Sequence, residues 1–319
     1  MALTMKILRD QQRAFGGTGL SVPPIAFGTA ALGNVSCVVP DQTKLAICGE
    51  WFRGVEPPVL IDVAYGYGNG MALEVLGRAL RRLDIASAEI VICLNLGCSS
   101  SRDVAERPNY AQINECWAKS CRLLGDAYQP KLVSISDADE EAWRAVSELK
   151  AAGSVRGVGL VASDLRAAKE QARTIDLDWI TLAGGCTLMR HSPEVFAVMA
   201  ELAERQIPLI VAGVFDGGFL AGDNQLDGRT LNPDDPANRT WFAWRKAFVA
   251  LCDGHGISPA QACIQFSLSA PGVVAVLLDS SYPDRVAANI ESVRQEVPEN
   301  FWASLREEGL LVTGFPGAG

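Results

Sequence analysis

Short runs of apolar, β-branched residues recur along the whole chain, each followed by a turn and then an amphipathic stretch. They cover Ile25–Gly28, Val59–Ala64, Ile90–Leu96, Lys131–Ser136, Arg156–Val161, Trp179–Ala183, Leu209–Val214 and Val273–Leu278. Continuous apolar runs of this length suit strands covered on both faces. The stretches between them have helical periodicity: across Met71–Leu83, residues Val75, Leu76, Ala79 and Leu80 fall on one face and Arg78, Arg81 and Arg82 on the other. Strand-then-helix alternation implies parallel strands joined by crossover helices. Eight such units predict a closed (β/α)₈ TIM barrel, an α/β fold, and the absence of a Pro-marked or charged edge strand agrees with closure over an open doubly wound sheet.

The glycines of Phe15–Pro24 predict an N-terminal hairpin across the closed bottom of the barrel. Ala221–Thr240, rich in Asp, Asn, Gly and Pro, predicts a long mobile loop on the side where barrels carry their chemistry. At 319 residues with 49% hydrophobic content, residues 1–319 read as one barrel domain.

Charge and cysteine content narrow the partners. A net charge of −9 excludes binding driven by basic surface, so neither nucleic acid nor an anionic membrane is expected. No apolar run is long enough to span a bilayer. The nine scattered cysteines, with no signal peptide before them, predict reduced core residues in a cytoplasmic protein. With only His191 and His255 as imidazoles, and no second pair to match Cys116 and Cys121, no metal site is expected.

The candidate chemistry begins at Asp62, which ends an apolar run five residues before Tyr67 in a Gly-rich turn. With Thr18-Gly19-Leu20-Ser21-Val22, Phe27-Gly28-Thr29-Ala30, Glu74-Val75-Leu76-Gly77-Arg78, Leu182-Ala183-Gly184, Gly218-Phe219-Leu220-Ala221-Gly222 and Val297-Pro298-Glu299-Asn300-Phe301-Trp302, this segment resembles the aldo/keto reductase superfamily. The resemblance is strongest to its D-threo-aldose and L-fucose dehydrogenase branch. It implies hydride exchange between NADP or NAD and a small carbonyl compound or sugar, with Tyr67 as proton donor and Asp62 beneath it.

The resemblance also marks departures. Asn95 stands where the family has the lysine that makes the tyrosine a better acid, and Ser136 where it has the carbonyl-polarising histidine. Asp279 replaces a glycine of the phosphate cradle, adding bulk and negative charge, and Ser281 replaces its cation, while Arg285 and Asn289 match positions that contact the adenosine end. Leu160 and Val161 occupy the region that usually offers polar groups to the nicotinamide amide. Dinucleotide binding is thereby placed in doubt. Three readings follow: a divergent NAD(P)-linked oxidoreductase with an incomplete catalytic tetrad, a non-redox dehydratase, epimerase or lyase using Asp62 as base and Tyr67 as acid, and a silent ligand- or partner-binding barrel.

Other residues have a plain reading beside a functional one. Asp62, Asp137, Asp139, Asp164, Asp216 and Asp279 fall at strand ends, as an acidic mouth or as helix caps. His191 either replaces the missing imidazole or faces solvent from a loop, and His255 sits in a helix-ending turn. Trp241 and Trp244 either close over a ligand or pack as helical neighbours.

Overall fold

The computed structural model describes residues 11–97, 108–136, 140–226, 228–312 and 315. Strands β1 (Arg13–Ala14) and β2 (Ser21–Val22) pair antiparallel. Then come β3 (Ile25–Gly28), α1 (Asp41–Gly54), β4 (Val59–Ala64), α2 (Met71–Arg82), β5 (Ile90–Asn95), α3 (Tyr110–Leu124), β6 (Leu132–Ser136) and α4 (Glu140–Ala151). The second half holds β7 (Gly157–Ala162), α5 (Leu165–Gln171), β8 (Trp179–Ala183), α6 (Pro193–Glu204), β9 (Leu209–Ala212), the short hairpin β10 (Gln225–Leu226) and β11 (Arg229–Thr230), α7 (Arg239–His255), α8 (Pro259–Leu268), β12 (Val273–Leu278), α9 (Pro283–Arg294) and α10 (Glu299–Glu307).

Strands β3 to β9 and β12 close into an eight-stranded parallel barrel in the order β12-β3-β4-β5-β6-β7-β8-β9. The eight apolar runs of the sequence are these eight strands. Their hydrophobicity is continuous because one face meets the helices and the other fills the barrel. Ile25, Phe27, Ile61, Val63, Ile92, Leu94, Val133 and Ile135 join the outer core. Ala26, Leu60, Val91, Cys93, Leu132, Trp179, Ile210 and Ala275 pack inside the barrel.

The hairpin plugs the bottom. Phe15 is fully buried, with its ring centroid 5.0 Å from that of Trp179. Gly159 makes room for the indole, since a Cβ there would lie 2.1 Å from a Trp179 ring atom. Gly16, with φ +53°, comes so close to Asp178 that a Cβ would meet its carbonyl oxygen at 2.2 Å. Buried Asp178 accepts from the Val158 amide at 2.8 Å and pairs with Lys150 at 2.8 Å, fixing the lower rim.

The predicted loop Ala221–Thr240 is more structured than its composition suggests. It carries the β10–β11 hairpin and a 3₁₀ turn at Pro236–Asn238. Trp241 and Trp244 follow in α7, where Trp244 packs 5.3 Å from Phe248 and Trp241 stays 37% exposed. No helix among the described residues is long and apolar enough to cross a membrane.

Candidate active site at the barrel mouth

Strand register gathers the candidate residues. Asp62 pairs with Cys93 on the neighbouring strand, and Ala64 with Asn95. Asn95 pairs in turn with Ser134, and Ser136 with Val161. Alternation points the side chains of Asp62, Cys93, Asn95, Ser134 and Ser136 inward, so the first three strands after β3 present their polar groups to one well.

The Asp62 residue is partly open to the mouth, yet protein encloses its carboxyl. Burial pushes its pKa up to about 7; a hydrogen bond from the Cys93 thiol opposes the rise and the Asp279 charge adds to it. No described cation acts on it. Thr29 Oγ1 donates to the Asp62 carbonyl at 3.0 Å and ties the end of β3 to the same rung. Cys93 is 3% exposed, and its Sγ lies 3.8 Å from Ser134 Oγ. Below this row is a small void of about 10 Å³ lined by Asp62, Cys93, Thr181, Trp179 and apolar side chains.

Tyr67 sits in the turn between β4 and α2. Its amide donates to the Ala64 carbonyl at 3.1 Å, and its carbonyl accepts from the Ala72 amide at 3.1 Å. Gly33 packs on the Tyr67 backbone so closely that a Cβ would lie 2.6 Å from its carbonyl atoms, which sets the turn against the loop after β3. Positions 95 and 136 meet through a local turn. Asn95 Oδ1 accepts from the Gly97 amide at 3.0 Å, and Gly97 approaches the Ser136 amide to 2.5 Å from its notional Cβ. Asn95 therefore closes a local turn; it does not reproduce a cation.

At the other side of the mouth, Asp279 is turned away from the start of α9. Its Oδ2 accepts from the Ala30 amide at 2.6 Å, and it fills the space left by Gly28, where a Cβ would lie 2.8 Å from that oxygen. The expected crowding of a phosphate cradle is thus redirected toward β3 and Asp62. Ser280 Oγ accepts from the Tyr282 amide at 3.1 Å, and the Cys37 thiol donates to Ser281 Oγ at 3.6 Å. Arg285 lies 5.4 Å from the Tyr282 ring and 3.9 Å from Asp223, and Asn289 lines a small void of about 10 Å³ with Gly28, Asp279 and Ser280. This end offers hydroxyls, an aromatic ring, one guanidinium and one amide. Arg285, in the first turn of α9, is the guanidinium placed to meet an anion there, and the Asp279 carboxylate comes just after the end of β12.

The remaining strand-end acids resolve individually. Asp164 caps α5, accepting from the Arg166 amide at 2.9 Å and the Ala167 amide at 3.2 Å. Asp216 is buried and gripped by Arg190, whose Nε is 2.8 Å from Oδ1, and by Thr187, whose hydroxyl donates at 2.5 Å. Asp137 and Asp139 lie outside the described residues. His191 neither replaces the imidazole nor faces solvent: Nδ1 donates to the Thr187 carbonyl at 3.2 Å and Nε2 accepts from the Val312 amide at 3.1 Å. Its ring packs on Phe196 and Phe266, and burial lowers its pKa. His255 ends α7 against Ser304 and Phe301. Outward-facing Leu160 is buried in the shell. Cys93 is the site residue that motif reasoning passed over, although inward alternation with Asn95 two positions later was the available signal.

Comparison with known proteins agrees with this architecture. The aldo/keto reductase family model matches residues 24–308. Pyridoxal 4-dehydrogenase of Microbacterium luteolum is 27% identical, spanning 96% of this chain and 100% of that protein. D-threo-aldose 1-dehydrogenase of a Pseudomonas species is 26% identical, with 96% and 100% covered. Among solved structures, the aldo-keto reductase AKR11C1 of Bacillus halodurans superposes with a TM-score of 0.73 at 19% identity, covering 98% of this chain and 99% of that one. Glycerol dehydrogenase AKR11B4 of Gluconobacter oxydans gives 0.73 at 18% identity, covering 94% and 95%.

Proposed function

The chain belongs to the aldo/keto reductase family, and from that premise we propose that it is an oxidoreductase of small sugars or carbonyl compounds, with Asp62 and Tyr67 handling the proton and NAD favoured over NADP. Asp62 carries this reading: its carboxyl, raised to about 7, stands at the mouth with no described cation acting on it. A group that half-titrates near neutral pH accepts a proton from an alcohol, or returns one to a carbonyl oxygen, with little free-energy penalty in either direction. A lysine at position 95 would hold the carboxyl ionised and shift proton transfer wholly to the tyrosine. In this reading Tyr67, held in the turn after β4, would supply the hydroxyl between Asp62 and a substrate in the mouth. Asn95 and Ser136 are neutral hydrogen-bonding groups, suited to orienting a substrate oxygen and weak at polarising it.

Tyr282, Arg285 and Asn289 would hold the adenosine of a nicotinamide dinucleotide, with Ser281 offering a hydroxyl to its ribose. When bound, such a group exchanges a hydride with the substrate carbon. The relatives named as pyridoxal and D-threo-aldose dehydrogenases support an aldehyde or aldose substrate.

Thermal shift and tryptophan fluorescence titration with NADH and NADPH test the reading. NADH at millimolar concentration is expected to raise Tm, with a smaller response to NADPH. No response to either sinks the redox assignment. The same carboxyl supports a second reading, cofactor-free proton abstraction by a dehydratase or epimerase. Deuterium uptake from D₂O into a hydroxylated substrate without dinucleotide, abolished in Asp62→Asn, would decide for it.

A further inference from the structure

Three inward-facing side chains on adjacent strands form a polar row that the family pattern does not use: Asp62 on β4, Cys93 on β5 and Ser134 on β6. Register sets Cys93 beside Asp62, and Cys93 opposite Leu132 places Ser134 one inward position further along β6. Cys93 and Ser134 are both shut off from solvent, at 3% and 0% exposure. Burial holds the thiol protonated, its pKa well above the ordinary value, so it acts as a hydrogen-bond donor and not as a nucleophile.

We propose that Cys93 is a positioning residue for Asp62, its single thiol proton turning between the Asp62 carboxylate and the Ser134 hydroxyl so that the row accommodates both the ionised and the protonated acid. With Asp62 ionised, the thiol donates to the carboxylate and the Ser134 hydroxyl can donate to sulfur. With Asp62 protonated, the thiol turns to Ser134 Oγ, 3.8 Å away. In the protonated state the Asp62 O–H can in turn donate to sulfur, so the thiol has an acceptor in either state and the only charge that changes is that of Asp62 itself. A lysine partner could not do this, because its fixed cation favours one state only. Facing Asp62 from the other packed elements, the described titratable groups that act on it are Cys93 on β5 and Asp279 beyond β12; β3 contributes uncharged Gly28 and Thr29.

This inference rests on the assignment of Asp62 as the proton-handling group, but its test needs no turnover. Asp side chains are labelled with ¹³C in the full chain, the Asp62 signal is identified by its loss in Asp62→Asn, and its titration midpoint is measured by NMR. Removing a hydrogen bond to a charged acceptor in Cys93→Ala is expected to raise the midpoint by about one unit. Cys93→Ser, which restores a donor, should bring it back to the wild-type value or below. Equal midpoints in the wild type and Cys93→Ala overturn the proposal. Should the alanine variant fail to fold, a midpoint raised in Cys93→Ser overturns it instead. If the midpoints move as expected while neither dinucleotide binds, the row stands and the redox reading alone fails.

Discussion

Asp62 and Asp216 both stand at the mouth, one on β4 and one just after β9, and their surroundings are opposite. Asp216 is 2% exposed but meets Arg190 and Thr187, so its charge is matched where it is buried. Asp62 is the more open residue, yet its neighbours are a thiol and another carboxylate, and its pKa climbs to about 7. Partners, more than depth, decide whether the charge of a buried acid is matched. One side of the barrel uses its aspartate as a clamp between the loops after β8 and β9; the other leaves its aspartate free to change protonation.

The clamp is the place to expect the largest effect. Arg190→Ala strands the Asp216 carboxylate, and urea denaturation should show a loss of about 3–5 kcal/mol. A change under 1 kcal/mol would mean that the clamp is ornamental. The contrast can also be erased from the other side. Asn95→Lys places an ammonium on the strand next to Asp62, and the carboxyl midpoint followed by NMR should drop by about 1–3 units.

Asp62→Asn should raise Tm by about 2–4 °C at alkaline pH while abolishing activity. The sign follows from a folded-state pKa near 7 against an ordinary value of 3.8: the contribution of Asp62 to stability is fully present below 3.8 and is lost as pH rises through 7. The variant's advantage should therefore vanish toward pH 4, which scanning calorimetry across that range would reveal. The smallest effect concerns His191, whose lowered pKa makes it the reverse case. Its contribution is intact above the ordinary value of 6.5 and falls away as pH drops below it. His191→Gln should flatten that acid slope in a denaturation series.

The barrel was legible because each strand is a continuous apolar run bounded by turn residues, and Asp164, just past β7, was legible as the cap of α5. What escaped were relations set by inter-strand register and loop direction. Nothing local to Cys93 shows that it will face Asp62, since that pairing arises only when β4 and β5 align. The Arg190–Asp216 pair spans two loops, and His191 was mistaken for a solvent-facing or substitute catalytic group because its partners Thr187 and Val312 bring it inward. The sequence reads Asp279 as added bulk and charge after β12, but the direction of its carboxylate depends on the void left by Gly28 on the adjoining strand.

The Phe15 plug beneath Trp179 has a consequence for timing. With the lower end stoppered, Asp62 opens to bulk water on the side of the mouth. On the proposed redox reading, a ligand seated in that mouth would slow the exchange of the carboxyl proton with water, and the protonated acid would serve reduction of a carbonyl while its anion would serve oxidation of an alcohol.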